Sequence, residues 1–261
     1  MSLVYVYAIA PGDGAAPAGL RGLDDGAVRA IHEGDLVAFV SDVPESEFAE
    51  APLNAHLADM EWLTPRAVRH QEVNGALALS CDPLVPLSFG AVFRDTAGVA
   101  RMLRERAADI GPRFEALRGR AEWIAVLRRD LAAAKAAVDS GSEALRELHA
   151  EIAAAAPGRA YLITRRLDEA QRQELRVTDA AAIGAAVQAL EGAGLRLFRE
   201  PLLEDAGGGM LARFSVLAPR DAAPALERIG AAFATAWSPR GYTLELNGPW
   251  PAYRFSTVDP S

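Results

Sequence analysis

Two stretches of this chain are apolar on both sides of an extended strand, and they constrain its fold more than any other feature. Residues 3–10 read LVYVYAIA, and residues 122–129 read EWIAVLRR. A strand with two apolar faces is typical of the centre of a sheet, where neighbouring strands and packed layers cover it. The two stretches are too far apart for one hairpin, and 261 residues is long for one core. We therefore predict two sheets in two domains.

The first predicted domain, residues 1–119, is of the α+β class with a mixed α/β sheet. Its predicted elements are strands at 3–10, 28–32 and 35–42, a helical stretch at 51–80, a strand at 83–93 and a helix at 96–119. Within the helical stretch, Thr64 and Pro65 have the residue types of an N-cap and a first helical position, which predicts a new helix there. Pro112 is expected to bend or divide the last helix.

The second predicted domain, residues 120–247, follows the order β-α-β-β-α-β of a ferredoxin-like fold. The predicted strands lie at 122–129, 195–200, 210–218 and 242–247, with helices up to about 192 that break at Pro157-Gly158, and a helix at 221–237. In that arrangement the first and third strands are central and the fourth lies at an edge. The triple glycine at 207–209 is explained as a hairpin loop between two strands.

The helix at 221–237 has the clearest one-sided apolar pattern in the chain. Its apolar stripe consists of Ala222, Ala225, Leu226, Ile229, Phe233 and Trp237. This spacing predicts an amphipathic helix that packs on a sheet. Asp221 is expected to cap its N-terminus.

The stretch GPWPAYRFS, residues 248–256, places three aromatic side chains and two prolines close to the end of the sequence. It is either fixed to the body of the fold or kept as a docking peptide. The prolines favour the first explanation, because they limit the backbone and lower the entropy lost when the tail is ordered. We predict that the tail, residues 248–261, packs on the body, with Trp250 largely buried and Tyr253 hydrogen-bonded.

The net charge of −8 comes entirely from the first 60 residues, which hold ten acidic and two basic side chains. This excess repels phosphate-rich partners, so nucleic-acid binding is not expected. Two interpretations remain open: a solvated acidic surface, or a face that binds a basic or polar partner. The residues proposed for such a face are Asp24, Asp25, Glu45, Glu47 and Glu50.

The sequence contains no recognisable catalytic or metal-binding pattern. The four histidines show no metal-ligand spacing, and Cys81 has no activating neighbour and is expected to be buried. His70 lies on a helical stripe with Val73 and Leu77, which predicts a hydrogen-bonded core histidine. The glycines at 12–19 do not fit a dinucleotide loop. We expect no enzyme activity, no metal and no organic cofactor.

The N-terminal sequence lacks the basic and long apolar regions of a signal peptide, and no uncharged apolar run approaches the length of a membrane span. We therefore expect a cytoplasmic protein that does not enter a membrane.

Four stretches of the sequence together resemble the gas vesicle protein GvpF/GvpL family. The opening strand is similar to that family's first strand, residues 69–95 to its central signature, and NGPWPAYRFS to its C-terminal signature; GRAYLITRRLDEA at 158–170 is similar to its middle helix. The motif residues that this resemblance marks as structural are His70, Pro86, Phe89, Gly90, Phe93, Gly248, Pro249, Trp250, Pro251, Tyr253 and Phe255.

The resemblance implies a protein of gas vesicle assembly, an accessory or minor structural component. It implies binding of the small hydrophobic shell protein GvpA and of other accessory proteins, in the cytoplasm or on the gas vesicle. The alternative is a small-molecule-binding or enzymatic protein built on a ferredoxin-like domain, because a fold does not determine a function.

Overall fold

The structure is a computed structural model that describes residues 2–202 and 209–256. The chain forms two compact units. Unit 1 combines the chain up to Glu122 with the tail from Pro249 onward, and unit 2 is Trp123–Gly248. Unit 1 is therefore assembled from the two ends of the sequence, with unit 2 inserted between them.

Unit 1 contains an antiparallel sheet in which the first strand is central, as its two apolar faces predict. The strands are β1 (Ser2–Pro11), β2 (Arg29–Glu33), β3 (Leu36–Pro44), β4 (Val85–Pro86) and β5 (Val92–Phe93). The order is β2-β3-β1-β4, and β5 also pairs with β1. The strand predicted at 83–93 is wrong, because it is two short strands separated by a loop at 87–91. Gly90 in this loop has φ +97°, which no regular strand allows.

The helices of unit 1 pack on this sheet. They are α1 (Glu45–Phe48), α2 (Glu50–His56), α3 (Met60–Ser80), α4 (Thr96–Leu117) and the single turn α9 (Tyr253–Ser256). The predicted helix start at Thr64 is wrong: α3 begins at Met60, where the Asp59 carboxylate accepts the backbone N–H of Glu61 at 3.0 Å. Pro112 lies inside α4 without dividing it.

The core of unit 1 is aromatic on the helix-covered side of the sheet. Tyr5, Tyr7 and Phe39 on the strands meet Phe48 and Leu77 on the helices, and all five side chains are almost completely buried. Cys81 is also buried, as predicted. Aromatic residues bury large areas with few rotatable bonds, so this cluster contributes strongly to the stability of unit 1.

Unit 2 is formed around a second sheet with the strand order β7-β8-β6-β9. The strands are β6 (Arg120–Arg129), β7 (Arg196–Arg199), β8 (Met210–Pro219) and β9 (Tyr242–Trp250), and the helices are α5 (Leu131–Gly141), α6 (Glu143–Ala154), α7 (Pro157–Gly192) and α8 (Ala223–Trp237). β6 and β8 are central and β9 is at an edge, as predicted. Of the predicted glycine loop at 207–209, only Gly209 lies within the described residues.

Helix α8 packs through part of its predicted stripe. Leu226 and Phe233 are buried in the core of unit 2, whereas Ile229 and Trp237 are half-buried. The predicted Asp221 cap is wrong: the N-cap residue is Ala222, and it makes no side-chain hydrogen bond to the helix. Pro224 in the first turn lowers the need for a cap, because it has no N–H to satisfy.

The tail packs on unit 1 through residues 249–256, but its tryptophan is not buried. Trp250 ends strand β9 and is 49% exposed, which contradicts the prediction from sequence. The tail instead buries small side chains, with Ala252 at 5% and Ser256 at 0% exposure. Strand β9 lies at the edge of its sheet and has a neighbouring strand on one side only. The side chain of Trp250, its last residue, therefore remains partly in solvent.

Gly248 is required by a close contact within unit 2. A Cβ atom at this position would lie 2.7 Å from Cδ2 of the buried Trp123 ring. We expect Gly248→Ala to lower the free energy of unfolding by about 1–3 kcal/mol through overpacking. Urea unfolding followed by circular dichroism measures this change.

Gly184→Ala is the matched control for this substitution. Gly184 lies inside α7 with open space around its would-be Cβ. Alanine there should raise stability by about 0.5–1 kcal/mol, because it favours the helix. Equal stability of the two variants would contradict the role assigned to the Trp123 contact.

Candidate functional site

His70 is the point at which the motif stretches of unit 1 meet. It lies on α3, is 3% exposed, and has Nδ1 2.9 Å from the Tyr5 hydroxyl oxygen on β1. Its Nε2 lies 3.2 Å from the Leu87 carbonyl oxygen and 3.0 Å from Nδ2 of Asn74, one helical turn away. Nε2 donates to Leu87 in one tautomer and accepts from Asn74 in the other, so the ring is satisfied in both.

The loop at 87–91 is shaped to complete this arrangement. The Leu87 N–H donates to the Tyr7 carbonyl at 2.8 Å, and the Val6 N–H donates to the Ala91 carbonyl at 2.8 Å, so both ends of the loop are fixed to β1. Between them, the Gly90 N–H donates to the Tyr5 hydroxyl at 3.1 Å. The positive φ of Gly90 allows this orientation and explains a glycine in the motif.

The ionisable groups of this cluster are neutral near pH 7. Burial lowers the pKa of His70 from 6.5 to about 4, although the hydrogen bond to Leu87 opposes the shift. Burial raises the pKa of Tyr5, and it also raises the pKa of Tyr253. A buried neutral imidazole that is hydrogen-bonded on both sides has the features of a structural residue.

Aromatic rings surround His70. The Tyr5 and Phe89 rings each lie with their centroids 5.7 Å from the imidazole in edge-on geometry, and the Tyr7 ring stacks at 5.9 Å. Tyr253 of the tail adds a fourth ring at 6.1 Å. The residues brought together here come from the first strand, the central signature and the C-terminal signature.

The tail is held on unit 1 by polar contacts. Asn74 Nδ2 donates to the Tyr253 hydroxyl at 2.8 Å, and the Arg254 N–H donates to the Glu122 carboxylate at 2.8 Å. Ser256 Oγ donates to the Pro86 carbonyl at 3.3 Å. The predicted hydrogen bond of Tyr253 is therefore present.

The remaining motif residues lie outside this cluster. Phe93 pairs with Val4 in the sheet and is half-buried. Phe255 is half-buried in α9, while Trp250 is largely exposed. Pro249 and Pro251 flank Trp250 at the end of β9, and Pro251 is buried.

Sequence reasoning missed Asn74 and Glu122. Asn74 follows His70 by four residues, which places both on one face of α3. Glu122 is a charged residue at the start of an otherwise apolar central strand, and it is only 5% exposed. A buried carboxylate needs a donor, so both residues carried a recognisable signal.

The proposed acidic face is divided by a basic residue that was not predicted. Arg66 on α3 pairs with Asp24 at 3.0 Å and Glu47 at 2.8 Å, and its guanidinium lies 4.4 Å from the centre of the Trp62 ring. Trp62 Nε1 also donates to Glu47 at 2.8 Å. Two of the five acids thus share one positive charge.

The other three acids, Asp25, Glu45 and Glu50, make no ion pair with any residue that the structure describes. Asp24 and Asp25 both have positive φ, 46° and 61°, in the short 3-10 turn Leu23–Asp25. The turn is anchored because the Leu23 N–H donates to the Tyr7 hydroxyl at 2.7 Å. The acidic loop is therefore fixed to the same aromatic core as His70.

Unit 2 carries an apolar groove of about 480 Å³ between α7 and α8. It is lined by Ala185, Ala189, Ala193, Ala225, Arg228, Ile229, Ala232, Phe233, Ala236 and Trp237. Trp237 stacks on Phe233 with centroids 5.9 Å apart, and the Arg240 guanidinium covers the Trp237 ring at 5.1 Å. The predicted stripe of α8 therefore faces both the core and this groove.

Within residues 2–202 and 209–256, no three His, Cys, Asp or Glu side chains are grouped in a way that could hold a metal ion. No helix in this part of the chain combines the length and the apolar character that a membrane span requires.

The model of the gas vesicle synthesis protein GvpL/GvpF family matches residues 3–257. This chain belongs to the GvpL/GvpF family. The resemblance seen in the sequence motifs is thereby confirmed. Over 122 residues the chain is 42% identical to Gas vesicle protein L of Streptomyces sp. (strain CB03234), a match that spans 46% of this chain and 46% of that relative.

Two solved structures share the fold over nearly the whole GvpL/GvpF chain. The crystal structure of the gas vesicle protein GvpF from Anabaena sp. PCC7120 has a TM-score of 0.72 and 17% identity, and covers 99% of this chain and 98% of that one. GvpF from Microcystis aeruginosa has a TM-score of 0.68 and 18% identity, with 98% and 99% covered. Both confirm an α+β architecture.

The burial of neutral His70 predicts a pH dependence of stability. Unfolded His70, with a pKa near 6.5, binds a proton more readily than folded His70, with a pKa of about 4. Between these values the unfolded state holds more protons, so stability falls as the pH is lowered from 6.5 to 4, by about 3 kcal/mol at most. Urea unfolding at several pH values measures this slope.

In the His70→Gln variant, the unfolding free energy should lose the part of its pH dependence between pH 6.5 and 4 that comes from His70. The variant should also be less stable overall than the wild type. The exposed His32, changed to Gln, is the matched control and should keep the wild-type slope. The three proteins differ only at positions 70 and 32, so the contributions of their other groups cancel in the comparison. A His70→Gln variant with an unchanged slope would refute the pKa assignment.

Proposed function

We propose that this chain is a gas vesicle assembly or minor structural protein that binds the shell protein GvpA and other accessory proteins while gas vesicles form. Membership of the GvpL/GvpF family across residues 3–257 is the observation that carries the proposal. The protein acts in the cytoplasm or on the gas vesicle itself.

The chemistry of the motif residues favours a binding protein over an enzyme. His70 is buried and hydrogen-bonded, with a pKa of about 4, so it is a poor general base near pH 7. The groove of unit 2 has one charged lining residue, Arg228, and therefore offers no acid–base pair. These features weigh against the alternative of an enzymatic ferredoxin-like protein.

We further infer that residues 120–247 form a ferredoxin-like domain with α7 as its first helix and with α5 and α6 as a helical insertion. The β-α-β-β-α-β order and the central positions of β6 and β8 support this classification. Residues 1–119 are then the N-terminal α+β domain, and the tail from residue 248 packs on the body of the protein.

The groove between α7 and α8 is the surface best suited to an apolar partner. Its walls are alanines and half-buried Ile229 and Trp237, which would gain burial when covered. A very hydrophobic shell subunit exposes apolar surface before it joins the vesicle wall, and such surface aggregates in water. Covering it in this groove would keep the subunit available for assembly.

The acidic face supplies a second, electrostatic contribution to binding. Asp25, Glu45 and Glu50 remain unpaired in the described part of the chain, so they present negative charge at the surface of unit 1. Charges of this kind increase the association rate with a basic or polar partner and act most strongly at low salt.

A carboxylate in the groove should weaken GvpA binding. Ala232 lines the groove, and Ala232→Asp would force a charge to lose its hydration when the partner binds. We expect a loss of affinity of about tenfold or more. Co-expression with GvpA, followed by quantitative pulldown, measures the bound fraction.

Ala234→Asp is the matched control for the groove. Ala234 is an exposed alanine of the same helix that does not line the groove, so it tests the same chemical change on another face. Its binding should stay close to wild type. Equal retention of GvpA by both variants would exclude the groove as the binding surface.

Removal of the unpaired acids should weaken binding in a salt-dependent way. The variant Asp25→Asn, Glu45→Gln, Glu50→Gln leaves Asp24 and Glu47 to hold Arg66. We expect its loss of GvpA binding, relative to wild type, to be larger at about 20 mM than at about 500 mM salt. The reason is that the electrostatic screening length is shorter at high salt, so the removed charges matter less there.

The control variant carries the same charge change on exposed residues of α7: Asp168→Asn, Glu169→Gln, Glu191→Gln. It should bind like wild type at both salt concentrations. If the two triple variants behave alike at low salt, the acidic face is only a solvated surface.

A further inference from the structure

The residues of unit 1 that hold the tail also make contacts with one another or with the sheet. Asn74 lies on α3 next to His70, which is fixed by Tyr5 and Leu87. Pro86 pairs with Ala8 in the sheet. A site that is already formed before its ligand arrives binds with a smaller loss of entropy.

The tail, residues 249–256, has the features of a bound peptide. It contributes the side-chain hydroxyls of Tyr253 and Ser256 and the backbone N–H of Arg254 to polar groups of unit 1. Arg113 Nη1 donates to the Ser256 carbonyl at 3.2 Å at the other end. Asn74 is completely buried and Glu122 is 5% exposed, so both strongly favour an occupied site.

The segment that connects the tail to unit 2 can change its path at low cost. Trp250, between Pro249 and Pro251, is already 49% exposed, so moving it removes little apolar surface from the protein interior. The contacts beyond it are hydrogen bonds, the Tyr253 ring beside His70, and small buried side chains at Ala252 and Ser256. Such segments open locally more readily than a packed core does.

We propose that the tail is an exchangeable strap, and that the tail site of one copy of this chain accepts the tail of a second copy. Exchange preserves every contact of Tyr253, Arg254 and Ser256 and changes only the connection after Gly248. The proposal is independent of which gas vesicle protein this chain binds.

Concentration determines which copy supplies the tail. A tail attached to its own chain has an effective concentration on the order of millimolar, so a dilute sample is closed on itself. Copies gathered side by side on an assembling particle reach comparable local concentrations, and exchange then links them. The tail thus becomes a means of self-association that operates only where the protein is crowded.

A peptide of residues 247–256 with an N-terminal fluorophore tests the site. The host is the full chain with Tyr253→Ala, whose own tail is weakened. We expect saturable binding by fluorescence anisotropy, at least tenfold weaker binding to the wild-type chain, and at least tenfold weaker binding when the peptide carries alanine in place of its tyrosine. Absence of binding to a host with a native circular dichroism spectrum overturns the proposal.

Exchange between whole chains is tested by mixing two full-length variants. Asn74→Ala damages the site and keeps the tail, and Tyr253→Ala damages the tail and keeps the site. Each should sediment as a monomer alone, and the mixture should form a heterodimer in analytical ultracentrifugation. If Asn74→Ala does not fold, Arg113→Ala replaces it. A mixture that stays monomeric at every concentration rules out exchange, even if the peptide binds.

Discussion

The buried hydrogen bonds of His70 are the interaction on which unit 1 depends. One imidazole connects α3 to β1 through Tyr5 and to the loop at 87–91 through Leu87, and its neighbour Asn74 extends the connection to Tyr253 in the tail. Loss of these bonds would leave buried polar groups unpaired at a cost in free energy, so the bonds fix the loop, the helix and the tail in one mutual arrangement.

The same cluster explains why the motif residues of the GvpL/GvpF family are spread along the sequence. Gly90 is needed for its backbone conformation, Phe89 for its packing against the imidazole, and Tyr253 for its hydroxyl. The polar groups of these motif residues make their hydrogen bonds within the protein, and burial keeps His70 neutral. The 3-10 turn that holds Asp24 and Asp25 is fixed to the same aromatic core through Tyr7.

Local patterns predicted much of the architecture. Two apolar faces indicated that the strands at 3–10 and 122–129 are central, and both are. The apolar stripe predicted α8, and the position of His70 beside Val73 and Leu77 predicted a core histidine. These features are recognisable because the residues on the buried side of a helix or strand recur at the fixed spacing of that element. Boundaries were less accurate: Asp59 starts α3 before Thr64, and the glycine at 90 interrupts the strand expected at 83–93.

By itself, the sequence determined the class of most elements, the centres of both sheets, the family and the hydrogen-bonded position of Tyr253. Only the tertiary structure decided which groups meet. Arg66 pairs with Asp24 and Glu47, Asn74 and Glu122 receive the tail, and Trp250 is half exposed while Ala252 is buried. Such contacts join residues up to 179 positions apart. They depend on the path of the whole chain, whereas spacing along a sequence reports only which side of its own element a residue occupies.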